Sequence, residues 1–334
     1  MKPTALFLAA TLLLLNAASP AEDAATTDTT PLPVALVDAL NHLAGGPHPG
    51  YRANHAKGVL ATGSFHPTRA ARNFSKAPQF AAEAPVLVRF SDATGVPTLP
   101  DANPNASPHG LAIRFTLPHG ATTDIVSISA NGFPVATPED FLALLRAVGQ
   151  SGPDAAKPTP IEQFLGSHPA ALRFVTTPRP APQSFATLAF YGVNAFRFTN
   201  AQGKARYGRY QIVPEAGEHA LDAATAESAA PDYLVAELPA RIAQGPVVFH
   251  LYLQLAAAGD PLDDPTATWP ADRERIELGT LRLTGVPAEQ VEAQRALLFN
   301  PLSLPEGIEP SADPVLLARP AAYAVSYTQR VRQP

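Results

Sequence analysis

The chain has 334 residues, a formal net charge of −5, no cysteine and one methionine, the initiator. It can therefore build no disulfide framework, no cysteine-bound zinc or iron–sulfur centre and no cysteine nucleophile. With 46% hydrophobic and 16% charged residues it is globular, large enough for one big domain or two ordinary ones, and it lacks the Lys/Arg-rich patches interleaved with aromatics that nucleic-acid binding requires.

Lys2, the apolar run Ala5 to Leu15 and the small residues Ala17, Ala18, Ser19 and Ala21 have the order of a cleavable secretory signal. The apolar run falls short of the roughly 20 residues that span a bilayer. The expected organisation is a signal peptide over residues 1–21, a flexible leader over 22–44 and one domain over 45–334, exported to the periplasm or medium with no membrane attachment after cleavage.

The body reads as strands first and helices last. Apolar and β-branched runs with partial alternation predict strands at Val86–Ser91, Leu111–Leu117, Asp124–Ser129, Phe190–Thr199, Ala205–Val213, Val247–Leu255 and Ile276–Thr284, with a hairpin turn at Asn200–Gly203. The 37 prolines and 21 glycines work against long helices over most of the chain. Three helices are predicted nonetheless: one capped by Thr137 with Pro138 at its first position, one from about Pro287 to Leu297, and one from Asp313-Pro314 to the C-terminus. Together these predict an α+β chain built on an antiparallel barrel or sandwich.

His-Glu-x-x-His, the phosphate-binding Gly-Lys loop, Gly-x-Ser-x-Gly and Gly-x-Gly-x-x-Gly are all missing. The acidic run Asp260 to Pro265 lacks the spaced glutamate of a calcium loop. Arg319 and Tyr323, four positions apart, share a helix face. A guanidinium beside a phenol stabilises a phenolate, which is a hard ligand for ferric iron. The same spacing equally describes a simple stacking pair.

A resemblance narrows these alternatives. Arg52-Ala53-Asn54-His55-Ala56-Lys57-Gly58, followed by Gly63-Ser64-Phe65, resembles the distal-histidine segment of haem catalases. Val88-Arg89-Phe90-Ser91 and His109 to Phe115 resemble the next two strands of that family. Phe190 to Phe196, Gly259-Asp260-Pro261, Asp264-Pro265-Thr266, Trp269-Pro270 and Glu277-Leu278-Gly279 follow in the family's order, and Phe299-Asn300-Pro301, Pro305 to Ser311 and Arg319-x-x-x-Tyr323 resemble its proximal segment. The resemblance covers about residues 45 to 332. The chain ends just after the proximal helix, so it most resembles the short, exported catalase-related peroxidases.

The resemblance implies an antiparallel barrel of about eight strands with flanking helices, and haem b buried between the barrel and the C-terminal helix. By it, Tyr323 is the axial iron ligand and Arg319 its phenolate-stabilising neighbour. His55 is the distal acid/base and Ser91 its hydrogen-bond partner, while Arg52, Arg89 and Arg330 lie at the haem propionates. The family's distal asparagine falls at Ser129 or Ile128, with Asn131 two residues away as a substitute, and its haem-stacking aromatic falls near Leu144. Without the amide, orientation of a second peroxide is weakened. The expected activity is reduction of hydrogen peroxide or an organic hydroperoxide by a small organic reductant, in a monomer or small homo-oligomer. A true catalase and a non-enzymatic haem carrier are the alternatives. A chain that handles strong oxidants outside the cell is also suited by having neither thiols nor, after cleavage, thioethers.

Overall fold

The computed structural model describes residues 29–332; the predicted signal segment, residues 1–21, lies outside the described residues. Its strands are β1 (Gly58–Pro67), β2 (Ala84–Ser91), β3 (Gly110–Thr116), β4 (Thr122–Ile128), β5 (Phe190–Tyr191), β6 (Phe196–Thr199), β7 (Ala205–Pro214), β8 (Val247–Leu255), β9 (Arg275–Gly285) and β10 (Ile308–Pro310). The first four form an antiparallel meander. β5 joins β4 to β7, β7 pairs with β8, and β9 bridges β8 back to β1, closing an eight-stranded barrel. β6 and β10 extend outward from β7.

Alternation fills the interior. In β8, Val247, Phe249, Leu251 and Leu253 are buried and the residues between them are half-exposed. Phe90 lies 5.5 Å from Phe185 and 5.9 Å from both Phe190 and Phe249, ring centre to ring centre, at the heart of the barrel.

Two strand expectations change. The run Phe190–Thr199 divides into β5 and β6, because Asn194 turns out of the sheet to bond side chains of the C-terminal helix. β1 carries glycines and a terminal proline, which hide it as a strand. At its bulge a Cβ on Gly63 would lie 2.0 Å from the Arg282 carbonyl, so the close approach to β9 requires glycine.

The helices are α1 (Leu32–Leu43), α2 (Arg69–Phe74), α3 (Pro138–Gly149), α4 (Pro160–Ser167), α5 (Pro169–Thr176), α6 (Ala223–Ser228), α7 (Tyr233–Gln244), α8 (Gln290–Ala296) and α9 (Pro314–Arg332). α3 starts as expected, with the Thr137 hydroxyl accepting from Asp140 N at 3.1 Å. α9 is capped by Asp313, whose carboxylate accepts from Val315 N and Leu316 N. α1 corrects the reading of 22–44 as a flexible leader. Within that stretch Ala35, Leu36 and Val37 are buried, and the helix packs on α3 and α9. Its apolar stripe gains burial only against those distant helices, which is why the local composition conceals it. Among the described residues no helix is long and apolar enough to cross a membrane.

Candidate active site

Ser91, Gly110, Ile128 and Tyr191 stand opposite one another across β2, β3, β4 and β5, and all four line a cavity of about 250 Å³. The histidine hangs over this rung. His55 Nδ1 lies 3.0 Å from Ser91 Oγ, and a Cβ on Gly110 would come within 2.9 Å of the imidazole. The missing side chain at Gly110 therefore makes room for the ring. His55 has a left-handed backbone (φ 56°), costly for a residue with a Cβ and typical of sites held by their surroundings. Its neighbours supply that hold: Ala53 N–H donates to Ser326 Oγ at 3.1 Å and Ala56 N–H to the Thr94 carbonyl at 2.8 Å. Burial, reinforced by Arg89, Arg52, Arg319 and His109, pushes the imidazole down to about 3, so the ring is neutral at physiological pH.

α9 presents a further wall. Val315, Ala318, Arg319, Ala322, Tyr323, Ser326 and Arg330 line the cavity at helical spacing. Arg319 donates to the Tyr323 hydroxyl from Nε at 3.1 Å and from Nη2 at 2.9 Å, and from Nη1 to Asn194 Oδ1 at 2.8 Å. Asn194 Nδ2 donates in turn to the capping carboxylate of Asp313 at 2.7 Å. The fork that holds the phenol is thus fixed to the start of its own helix.

Arg52, Arg89 and Arg330 converge at one edge of the cavity. Burial lowers all three from the usual arginine value, and repulsion from neighbouring guanidinium groups adds to it at Arg52 and Arg89, the latter falling to about 9. Among the described residues none makes an ion pair with a carboxylate; their partners are neutral oxygens, most of them on or beside α8, and Arg89 Nη2 also donates to the Ala56 carbonyl at 3.1 Å. Arg52 Nη2 and Arg330 Nη2 share the Leu297 carbonyl at 2.7 and 2.9 Å, and Arg89 Nε donates to Gln294 Oε1 at 2.9 Å. α8 is itself clamped to β1, where both the N–H and the carbonyl of Leu60 bond the Gln290 side-chain amide at 2.9 and 2.8 Å. Partly desolvated guanidinium groups without an anion form a receptor for one.

The remaining walls are apolar: Leu36, Val37 and Leu40 of α1, Val126 and Ile128 of β4, and Phe133 and Phe141 at the entry to α3. All seven sequence-predicted site residues, Arg52, His55, Ser91, Arg89, Arg319, Tyr323 and Arg330, line this one cavity. The secondary positions differ. Ile128, not Ser129, faces the cavity, since Ser129 Oγ accepts from His109 N. Asn131 is exposed, with its carbonyl held by Thr268, so it supplies no amide to the site. Leu144 is buried and does not line the cavity, whose phenylalanines are Phe133, Phe141 and Phe299. Asn194, Asp313, Gln294 and Gly110 escaped the sequence reading. The tight sequence match around Asn194 was the one available signal. In the acidic run, Asp260 pairs with Arg273 at 2.9 Å and Asp264 caps its own turn at Thr266.

The barrel and its helical flank define the structural class. They superimpose on the crystal structure of a fungal catalase with a TM-score of 0.74 at 24% identity, covering 89% of this chain and 62% of that one. The sequence profile named Catalase matches residues 33–333, and the chain belongs to the catalase family. It is 38% identical over 302 residues to the catalase-related peroxidase of Mycolicibacterium paratuberculosis, covering 89% of this chain and 94% of that protein. It is 36% identical to that of Synechococcus elongatus, covering 86% and 85%. To the catalase of Mus musculus it is 28% identical and spans 56% of that protein.

Proposed function

We propose that this chain is an exported haem b peroxidase that reduces hydrogen peroxide or an organic hydroperoxide with a small organic reductant. The observation that carries the reading is the cavity itself. A histidine–serine pair and an arginine-bound tyrosine line it, and it holds three guanidinium groups that have no ion-paired carboxylate among the described residues. The residues fit haem on chemistry alone: the apolar walls suit a flat hydrocarbon macrocycle, the arginines suit two propionates, and the phenol of Tyr323 suits ferric iron. When bound, haem supplies the two-electron exchange with peroxide and the return of those electrons from the reductant.

The side chains supply the rest. With Nδ1 engaged by Ser91, the imidazole of His55 has Nε2 left to take the proton from the attacking hydroperoxide and return it to the departing oxygen. An imidazole that resists protonation down to about pH 3 is always ready as the base. The apolar walls keep bulk water from competing for that proton. Arg319 donates two hydrogen bonds to Tyr323 Oη and holds it in the role of acceptor. Ile128 places a hydrocarbon on the histidine's rung, so a second peroxide finds no amide there to orient it; this favours an organic reductant over disproportionation. The haem-loaded chain should show a ferric tyrosinate absorption spectrum, and Tyr323→Phe should lose it. An unchanged spectrum in that variant would remove Tyr323 as the ligand.

A further inference from the structure

Behind the rung lies a buried ionic cluster that the proposed chemistry does not use. Lys57 is two residues beyond His55, and its ammonium meets oxygens from three separate segments. Leu99 O is 2.5 Å away, Pro231 O 3.1 Å, Asp232 Oδ1 3.0 Å and Asp92 Oδ2 3.7 Å, and Asp101 makes a further ion pair. Lys57, Asp92 and Asp101 are buried; Asp232 is exposed. The cluster is knitted to its surroundings: Asp101 N donates to the Pro231 carbonyl at 2.8 Å, Asp101 Oδ2 accepts from Leu234 N at 2.7 Å, and His109 Nδ1 bonds Asp92 Oδ1 at 3.0 Å.

The cluster joins both halves of the distal pair. Asp92 follows Ser91 directly, and its N–H donates to the Lys57 carbonyl at 3.2 Å. One ammonium therefore holds the residue after the serine and the residue two beyond the histidine. Two residues before Lys57 comes the left-handed His55, a conformation that persists only where its surroundings over-determine it.

We propose that Lys57 is a positioning residue for His55, its ammonium tying β2 and the segments at 99–101 and 231–232 to the turn that carries the imidazole over Gly110. The proposal rests on His55 being the proton-transfer group, and its test is read partly without turnover. A lone Lys57→Met would leave buried Asp101 without its ammonium and Asp92 with His109 alone, and so threaten folding. K57M/D101N removes the ammonium and one carboxylate together.

In crystals of the haem-loaded parent, His55 should keep its positive φ and its bond to Ser91. In K57M/D101N the backbone should relax to negative φ or the Ser91 bond should open. Freed from burial and from Arg52, Arg89, Arg319 and His109, the ring should protonate nearer its ordinary value of about 6.5. The acid limb of the pH profile for the peroxide reaction should then move up from about 3 toward about 6, and a limb at about 6 lowers the rate at pH 5 roughly tenfold.

A variant that melts at lower temperature yet keeps the His55 geometry and the acid limb would overturn the proposal and leave Lys57 a structural cation. If the double variant does not fold, Asp232→Ala decides, since it removes one exposed partner of the ammonium. A shift of the acid limb in the same direction supports the proposal, and an unmoved limb refutes it. Should His55→Ala leave the peroxide rate intact, the functional reading fails, while the crystallographic comparison still judges the positioning role.

Discussion

Gly110 has no side chain, yet the distal arrangement depends on it: a Cβ there would lie 2.8 Å from Ser91 Oγ and 2.9 Å from the His55 ring. Gly110→Ala should keep the barrel, because the residue lies in an ordinary strand, and, if His55 acts as proposed, should slow the peroxide reaction by roughly tenfold or more through displacement of its ring. Stopped-flow rates beside thermal melts separate these two effects. His55 also makes a prediction about stability. Its imidazole is held down to about 3 in the folded chain against about 6.5 when unfolded, so between those values the unfolded chain binds a proton that the folded one refuses. Stability should fall as pH drops through about 6.5 and level off near 3. Denaturant titrations of the parent and of His55→Ala at pH 7.5 and 4.5 should show a smaller acid loss in the variant. His55, Ser91, Arg319 and Tyr323 were legible because each sits in a short, distinctive run of residues. Gly110, Gln294 and the Leu297 carbonyl were not, because each acts only on a partner brought to it by the barrel.

At the scale of elements, strand register does the selecting. Ser91, Gly110, Ile128 and Tyr191 come from four strands and share a rung, and a one-residue slip in any of them would turn its member out of the cavity. The sequence left the residue facing the histidine open between Ser129 and Ile128; pairing of Ile128 with Gly110 resolves it. Ile128→Asn would put an amide on that rung, and the expected result is more oxygen released from hydrogen peroxide without a reductant, measured with an oxygen electrode. Equal oxygen release would show that this position does not hold the balance between the two reactions. The helices divide in the same way. α3 and α9 announce themselves through Thr137-Pro138 and Asp313-Pro314, whereas α1 carries an apolar stripe whose partners, in α3 and α9, lie far along the chain, and so passed for a leader.

At the scale of the whole molecule, the first and last described helices meet. α1 lies near one end of the chain and α9 at the other, and both form walls of the same cavity, while β9 returns to β1 to close the sheet. The closed barrel is filled by aromatic rings, so Phe90→Ala should cost about 3–5 kcal/mol and lower the melting temperature measurably. A melt equal to the parent's would mean that the Phe90 cluster does not anchor the barrel. The sequence by itself determined the strand-rich class, most of the strands, the caps of two major helices and the residue types able to hold haem and move a proton, since alternation, capping and chemical identity are local properties. Only the tertiary structure decided that three cations meet with no ion-paired carboxylate among the described residues, that Asn194 ties Arg319 to Asp313, and that Ile128 rather than an amide faces the histidine. Those outcomes depend on register and burial, which arise when segments far apart in the chain are brought to one place and stripped of water.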